Sequence, residues 1–272
     1  MNQVQGDKRM NIRMSGLREK LRFHAPQVSK PYSELAQFYD RMMDHVDYSS
    51  WANYISSLFH HFNKDVHSIF ETACGTGSLA VELNKLGYEL TCMDASPDMV
   101  RMAAGKFKEK GIPLRLLAGN MQSIPVKAEY DAAICIYDSI NYMVNPSDFH
   151  KAICEAASVI RRDGLFVFDV CTVKNSELFF DDRDVSEFFE DIEYDRRCRY
   201  DPNKRIQKNF FIIRDLGKKQ MTESHSQKIY YLEEVAEMIQ GSDFREIGRF
   251  EDLSFDPGTE DSERVHFVLE RR

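Results

Sequence analysis

The sequence predicts an α/β fold: a doubly wound, mostly parallel sheet of about seven strands, closed by an antiparallel edge hairpin and interrupted by a small antiparallel β insertion. Three observations carry this. Apolar runs alternate with helical patterns between Val66 and Val170; β-type runs separated only by turn signals fill residues 172–230; one helix and two further strands then complete the chain.

The first 30 residues read as a basic arm. Met10, Met14, Leu17 and Leu21 recur at helical spacing among Arg9, Arg13, Arg18, Lys20 and Arg22. Such a pattern suits a membrane surface or an acidic partner, or simply a terminal segment resting on the protein's own body. Two short aromatic-rich helical segments follow. One carries Leu35, Phe38, Tyr39, Met42 and Met43, the other Trp51, Tyr54, Ile55 and Leu58. They form helical cover ahead of the first strand, or a lid over a ligand.

Val66–Ala73, Tyr88–Asp94, Leu114–Ala118, Tyr130–Tyr137 and Gly164–Val170 are the expected parallel strands, nearly continuous in apolar residues. Between them lie helices at Ser78–Leu86, after Ser96-Pro97 (a capping residue, then proline at the first helical position) and at Ser147–Ile160. The rhythm breaks at residue 172. An acidic stretch from Glu177 to Asp195 leads into β-type runs at Ile192–Tyr200, Arg205–Asp215 and Gln220–Tyr231, with turn signals at Asp201-Pro202-Asn203 and Leu216-Gly217-Lys218. Helix Leu232–Gln240 ends at Gly241, and strands Phe244–Phe250 and Arg264–Leu269 form the hairpin. The chain therefore divides into the arm (1–30), a core (31–171 and 231–272) and a lid-like insertion (172–230).

Composition narrows the function. With 43% apolar residues the chain can bury a sizeable core, and no apolar run approaches the roughly 18 residues of a membrane span. The N-terminus lacks the apolar core of a secretion signal, and Cys74, Cys92, Cys135, Cys154 and Cys171 fall in or beside core elements without a metal-like C-x-x-C. A cytoplasmic protein with reduced thiols and no metal centre is expected. The net charge is −8 although the arm is basic, so the acidic body should repel nucleic acid.

The chain is organised around Ile69–Gly77, an apolar run ending in Glu71-Thr72-Ala73-Cys74-Gly75-Thr76-Gly77. A strand, a glycine turn and a helix start bring backbone N–H groups to one point, which suits a small polar ligand. Gly75-x-Gly77-x-x-Ala80 followed by Asp94 also satisfies a dinucleotide pattern, so an NAD-linked oxidoreductase is one reading. Against it stand the carboxylate of Glu71 before the turn, the antiparallel hairpin, and the polar-aromatic cluster Tyr137-Asp138-Ser139-Ile140-Asn141-Tyr142 at the carboxyl edge of the fourth strand.

Together, ETACGTG, CMDASPDMV (Cys92–Val100), AGNMQSIP (Ala118–Pro125) and YDAAICIYDSINY resemble the class I S-adenosylmethionine-dependent methyltransferases over about residues 32–272, in the small-molecule branch that includes sugar-amine N-methyltransferases. The resemblance implies a Rossmann-like core and S-adenosyl-L-methionine as cofactor. It places Glu71, Ala73 and Gly75 around the methionine end, Asp94 on the ribose hydroxyls, and Ala95 and Met99 beside the adenine. Asn120 and Met121 fall beside the adenine amine, where Asn120 replaces the family's usual acid and accepts more weakly. Tyr137 would face the sulfonium, with Tyr32, Tyr39 and Trp51 closing over the methionine moiety. That departure and the basic arm also admit a catalytically silent, cofactor-binding regulatory protein.

Methyl transfer is an in-line displacement, so the protein chiefly positions the acceptor and excludes water. A small-molecule acceptor is expected, with nitrogen favoured over oxygen, since an amine need only arrive neutral whereas a hydroxyl generally needs a base. Candidate bases are Tyr142, Asp138 and His225. On the third insert run Glu223, His225, Gln227 and Ile229 alternate onto one face of a strand.

Overall fold

The computed structural model describes residues 29–113, 115–189, 192–215 and 220–272. The expected arm, apart from its last two residues, and the Leu216-Gly217-Lys218 turn lie outside them. A 3-10 turn (Leu35–Gln37) and a single helical turn, α1 (Tyr39–Met42), precede α2 (Tyr48–His61). Then come β1 (Ser68–Glu71), α3 (Ser78–Lys85), β2 (Glu89–Asp94), α4 (Pro97–Lys110), β3 (Arg115–Ala118) and β4 (Tyr130–Cys135). After a 3-10 turn (Ser139–Tyr142) follow α5 (Pro146–Ala157), β5 (Ile160–Cys171) and α6 (Val173–Phe179). The insertion holds β6 (Arg183–Phe189), β7 (Ile192–Asp201), β8 (Ile206–Asp215) and β9 (Gln220–Lys228); α7 (Leu232–Gln240), β10 (Phe244–Glu251) and β11 (Arg264–Arg271) close the chain.

Seven strands form the main sheet in the order β10-β11-β5-β4-β1-β2-β3. β1 pairs in parallel with both β2 and β4, so successive crossovers leave in opposite directions on either side of it and open a crevice at its carboxyl end. The final hairpin differs from a simple reversed edge. β11 slides between β5 and β10 and is antiparallel to both, so the outermost strand runs with the parallel set.

Strand alternation feeds two buried layers. Ile69, Ile134 and Val167 pack with Ile55, Leu58 and Leu83 of α2 and α3, while Phe70, Ala133, Phe166 and Phe168 pack with Phe149, Ile153 and Val235 of α5 and α7. Helix ends follow local chemistry. Ser96 caps α4 through its Oγ, which accepts from Met99 N (3.3 Å), with Pro97 at the first position and Gly111 in the left-handed region beyond the end.

The insertion is a four-stranded antiparallel sheet, β6-β7-β8-β9. Its first strand arises inside the acidic stretch, where the sequence patterning shows no β signal. Cross-strand pairs offset the charge there: Arg199 with Asp182 (2.9 Å) and Asp184 (2.8 Å), and Ser186 with Asp195 (2.6 Å). Ile192, Tyr194, Phe211 and Ile213 pack with Leu35 and Phe38, so the insertion and the N-terminal cover share a small core. No described helix is long and apolar enough to cross a membrane.

Candidate functional site

Two loops make a cradle at the carboxyl edge of the parallel strands. Gly75 and Gly77 both adopt positive φ (+55° and +76°), and a Cβ on Gly77 would lie 2.4 Å from the Phe107 ring of α4. Glycine at 77 thus permits the turn and the close seating of α4 at once. Both oxygens of Asp94 are engaged, Oδ2 accepting from Gly75 N (2.8 Å) and Oδ1 from Ser96 N (2.8 Å). That carboxylate ties the loop after β1 to the loop after β2, and it keeps lone pairs for further donors. Burial raises its pKa, partly countered by the Ser96 and Gly75 N–H groups.

Glu71, at the end of β1, is only 3% exposed, and its hydrogen bond is a weak one from Cys92 Sγ at 3.7 Å. Burial pushes its pKa up to about 7; the Cys92 thiol works against the rise and the Asp94 charge adds to it. It borders a small cavity of about 50 Å³ that also touches Trp51, Ala73, Gly75 and Tyr137. A second cavity, about 540 Å³, runs from Ala73 and Gly75 past Asp94, Ala95 and Met99 to Asn120 and Met121, with Tyr32 along one wall. The Asn120 side-chain carbonyl already accepts from Gln122 N (2.9 Å).

A third chamber, about 790 Å³, lies under the insertion and contains Tyr32, Tyr137, Asp138, Tyr142 and His225 in its wall. Tyr39 and Ser139 border all three cavities, which therefore converge at one point. Every residue expected at the site lines one of them.

At the convergence the chain builds a closed hydrogen-bonded ring. Tyr32 Oη lies 2.6 Å from Tyr142 Oη, which lies 2.9 Å from His225 Nδ1. His225 Nε2 lies 2.9 Å from Glu223 Oε2, and that same oxygen accepts from Tyr32 N (2.8 Å). Glu223 Oε1 accepts from Glu34 N (2.5 Å) and Leu35 N (2.9 Å). Both Glu223 and His225 are buried. Burial works against the Glu223 charge, but His225 and the three N–H donors outweigh it and lower its pKa. With Glu223 ionised, the network assigns the proton to Nε2 and leaves the Nδ1 lone pair facing Tyr142. Burial raises the pKa of Tyr142, so it stays a neutral phenol.

Asp138 sits differently. Its oxygens are taken by Arg264 Nη2 (2.8 Å) and Gln227 Nε2 (2.5 Å), and Arg264 also pairs with Asp169. Tyr137 and Asp138 are consecutive residues at positive φ (+64° and +50°), held by Asp138 N donating to Asp169 Oδ2 (2.8 Å). Backbone conformations of this kind gather at functional sites, where surrounding contacts must hold them. Asp138 thus supports the turn that presents Tyr137 and Tyr142.

Sequence patterning singled out His225 but gave Glu223 no role, although the alternation on β9 already put them on one face. Arg264 and Asp169 carried no local signal, because their partners come from other strands. Among the described residues no group of three His, Cys, Asp or Glu is arranged to hold a metal ion.

Comparison with known proteins agrees with this geometry. Residues 69–164 match a family described as a methyltransferase domain. A protein named as a methyltransferase in Geobacillus sp. (strain WCH70) is 25% identical over 245 residues, covering 88% of this chain and 99% of the relative. A glycine/sarcosine N-methyltransferase of Parasynechococcus marenigrum (strain WH8102) is 24% identical over 139 residues, 50% of this chain and 49% of that protein. In fold, the chain is similar to an S-adenosylmethionine-dependent methyltransferase from Clostridium acetobutylicum ATCC 824, with a TM-score of 0.77 at 21% identity, covering 88% of this chain and 98% of that one.

Proposed function

The chain is a class I S-adenosylmethionine-dependent methyltransferase, and from that premise we propose that it methylates the nitrogen of a small molecule held in the 790 Å³ chamber beneath the insertion. The observation that carries this reading is the convergence of the three cavities at Tyr39 and Ser139, beside the Tyr142–His225 pair.

The residues fit the cofactor. Glu71 is a buried carboxyl with one weak thiol partner, next to the smallest cavity, where a cationic amino acid end would complete it. The 540 Å³ cavity is of ordinary small-ligand size and is walled by Met99 and Met121, apolar faces suited to a purine. When bound, the cofactor supplies an activated methyl group on sulfur. Held by Glu71, Asp94, Met99 and Met121, the cofactor would offer that methyl group to a neutral nitrogen presented from the chamber.

The chain's own residues orient the acceptor and remove a proton. Tyr142 lines the chamber and its Oη donates to His225 Nδ1, so a proton leaving the acceptor nitrogen can be taken up by Tyr142 as its own passes to His225. Glu223 orients the imidazole through its contact with Nε2. A nitrogen acceptor is supported by the N-methyltransferase name of a partial relative and by Asp44, Glu187 and Glu263 in the chamber wall, which attract a cation. Incubation with methyl-labelled cofactor and a panel of small amines and alcohols tests the proposal. Saturable labelling of amines is the expected result, and label confined to alcohols or to macromolecules would overturn it.

A further inference from the structure

Several arginines of the insertion and its surroundings are committed to carboxylates. Arg199 pairs with Asp182 and Asp184, Arg205 with Glu234, and Arg214 with Glu193 and Asp195. In the chamber wall Arg264 is held by Asp138 and Asp169. Arg196, on β7, is not: among the described residues no carboxylate oxygen lies within 4.0 Å of its guanidinium, and whereas Arg183 and Arg197, which also lack such a pair, are exposed, Arg196 faces the chamber. It lines the same chamber as Tyr142 and His225.

The side chain is nevertheless fixed. Its guanidinium carbon stands 5.0 Å from the centre of the Phe180 ring and 5.8 Å from that of Phe211, and Nε donates to Asn209 Oδ1 at 3.1 Å. Two aromatic faces, one amide and the neighbouring Cys198 thiol therefore hold the side chain, while no carboxylate takes the remaining guanidinium donors. A pre-set guanidinium of this kind matches a planar anion that accepts two parallel hydrogen bonds. Strand pairing gives the reach. Arg196 is opposite Phe211, and Asn209 is opposite His225, so the cation lies two strand spacings, about 10 Å, across the sheet from the His225 strand.

Resting on the amine reading above, we propose that Arg196 binds a carboxylate on the acceptor, so that the substrate is an amino acid-like molecule whose amine faces Tyr142. The rest of the wall selects among anions. Asp44, Glu187 and Glu263 border the chamber, which favours a zwitterion with a single negative charge over a phosphate dianion. A chamber of 790 Å³ with Phe179, Phe180 and Phe211 in its wall has room for an apolar body beyond that of glycine.

The test uses the full chain with methyl-labelled cofactor and two matched sets: glycine with glycinamide, and L-phenylalanine with L-phenylalaninamide and phenethylamine. Within a set, the carboxylate-bearing member should show a kcat/KM roughly 10- to 100-fold above its amide or decarboxylated partner, the range expected for a charge-assisted hydrogen bond. Arg196→Gln should erase that preference and Arg196→Lys retain part of it, while both bind S-adenosylhomocysteine as the parent does, which reports that they fold. Amides and plain amines labelled as well as amino acids would overturn the carboxylate assignment and leave the amine reading standing. Label on hydroxyls alone would overturn the amine reading itself. Failure of any amino acid in the sets to bind in calorimetry, with S-adenosylhomocysteine present, would overturn the role of Arg196.

Discussion

Two buried glutamates divide this molecule into its two working regions. Glu71, in the cradle at the end of β1, has a thiol at 3.7 Å and a pKa pushed up to about 7 by burial. Glu223, on the insertion, accepts from His225 and from the backbone of Tyr32, Glu34 and Leu35, and its pKa is lowered. Similar burial has opposite consequences. Glu71 keeps open acceptor positions beside a cavity, where the proposed cofactor would meet it; Glu223 is saturated by the protein's own donors and is part of the frame.

The most severe way to break the contrast is Glu223→Ala. It strands three N–H groups and the His225 ring, and breaking a buried charged network of this kind costs roughly 3–5 kcal/mol. Denaturant unfolding should register that loss, and methyl transfer should fall by about 100-fold or more as the base is no longer oriented. Glu223→Gln should recover much of the stability, because the amide oxygen still accepts, but not the rate. A rate equal to the parent's in Glu223→Gln would show that the carboxylate charge is irrelevant to the chemistry.

Glu71→Gln should do the reverse, sparing the fold and weakening the cofactor. The sign follows from the raised pKa. The folded state holds the Glu71 proton more tightly than the unfolded chain, so the group's stabilising contribution is present below the ordinary 4.5 and is lost as pH rises through about 7. A cationic ligand prefers the ionised form, so affinity for S-adenosylhomocysteine should strengthen about tenfold between roughly pH 6 and pH 8 and release a proton on binding. Calorimetry in buffers of different ionisation enthalpy reads both quantities. Glu71→Gln should flatten the pH dependence and lower the affinity; an unchanged profile would remove Glu71 from the cofactor's company.

The smallest effect is expected at His266, whose two ring nitrogens are buried without partners beside the likewise unpartnered Tyr54 hydroxyl. Burial depresses the His266 pKa to about 3, with the Arg264 charge helping, so the stabilising contribution is full above the ordinary 6.5 and is lost as pH falls toward 3. His266→Phe should change stability by less than about 1 kcal/mol near neutrality and raise it at about pH 5. Melting curves at the two pH values decide this, and a large loss at neutrality would mean that the imidazole has a polar role.

How legible each region was in the sequence follows the same division. The cradle is local: an acid, a glycine turn, a capped helix and Asp94 all announce themselves within about 30 residues, as the dinucleotide-type fingerprint does. The chamber is assembled across long separations. Glu223 meets Tyr32 at a distance of 191 residues in sequence, and Arg264 meets Asp138 at 126. Alternation along β9 places His225 on the right face, but nothing in the run announces what that face will meet. The positive-φ turn at Tyr137 and Asp138, the insertion of β11 between β5 and β10, and a strand within the acidic stretch depend on partners elsewhere, which local patterning cannot register.

Tyr32 is grasped at both ends, its main-chain N–H by Glu223 and its phenol by Tyr142, while its carbonyl accepts from Ser96 Oγ (2.8 Å), which lines the same 540 Å³ cavity. The segment is therefore a latch as well as a wall. With the cofactor placed in that cavity as proposed, its release past this wall would require several bonds to open together, and its residence time would be set by how often the latch lifts. Anything that loosens the insertion from that latch will shorten the dwell of the nucleoside without touching it.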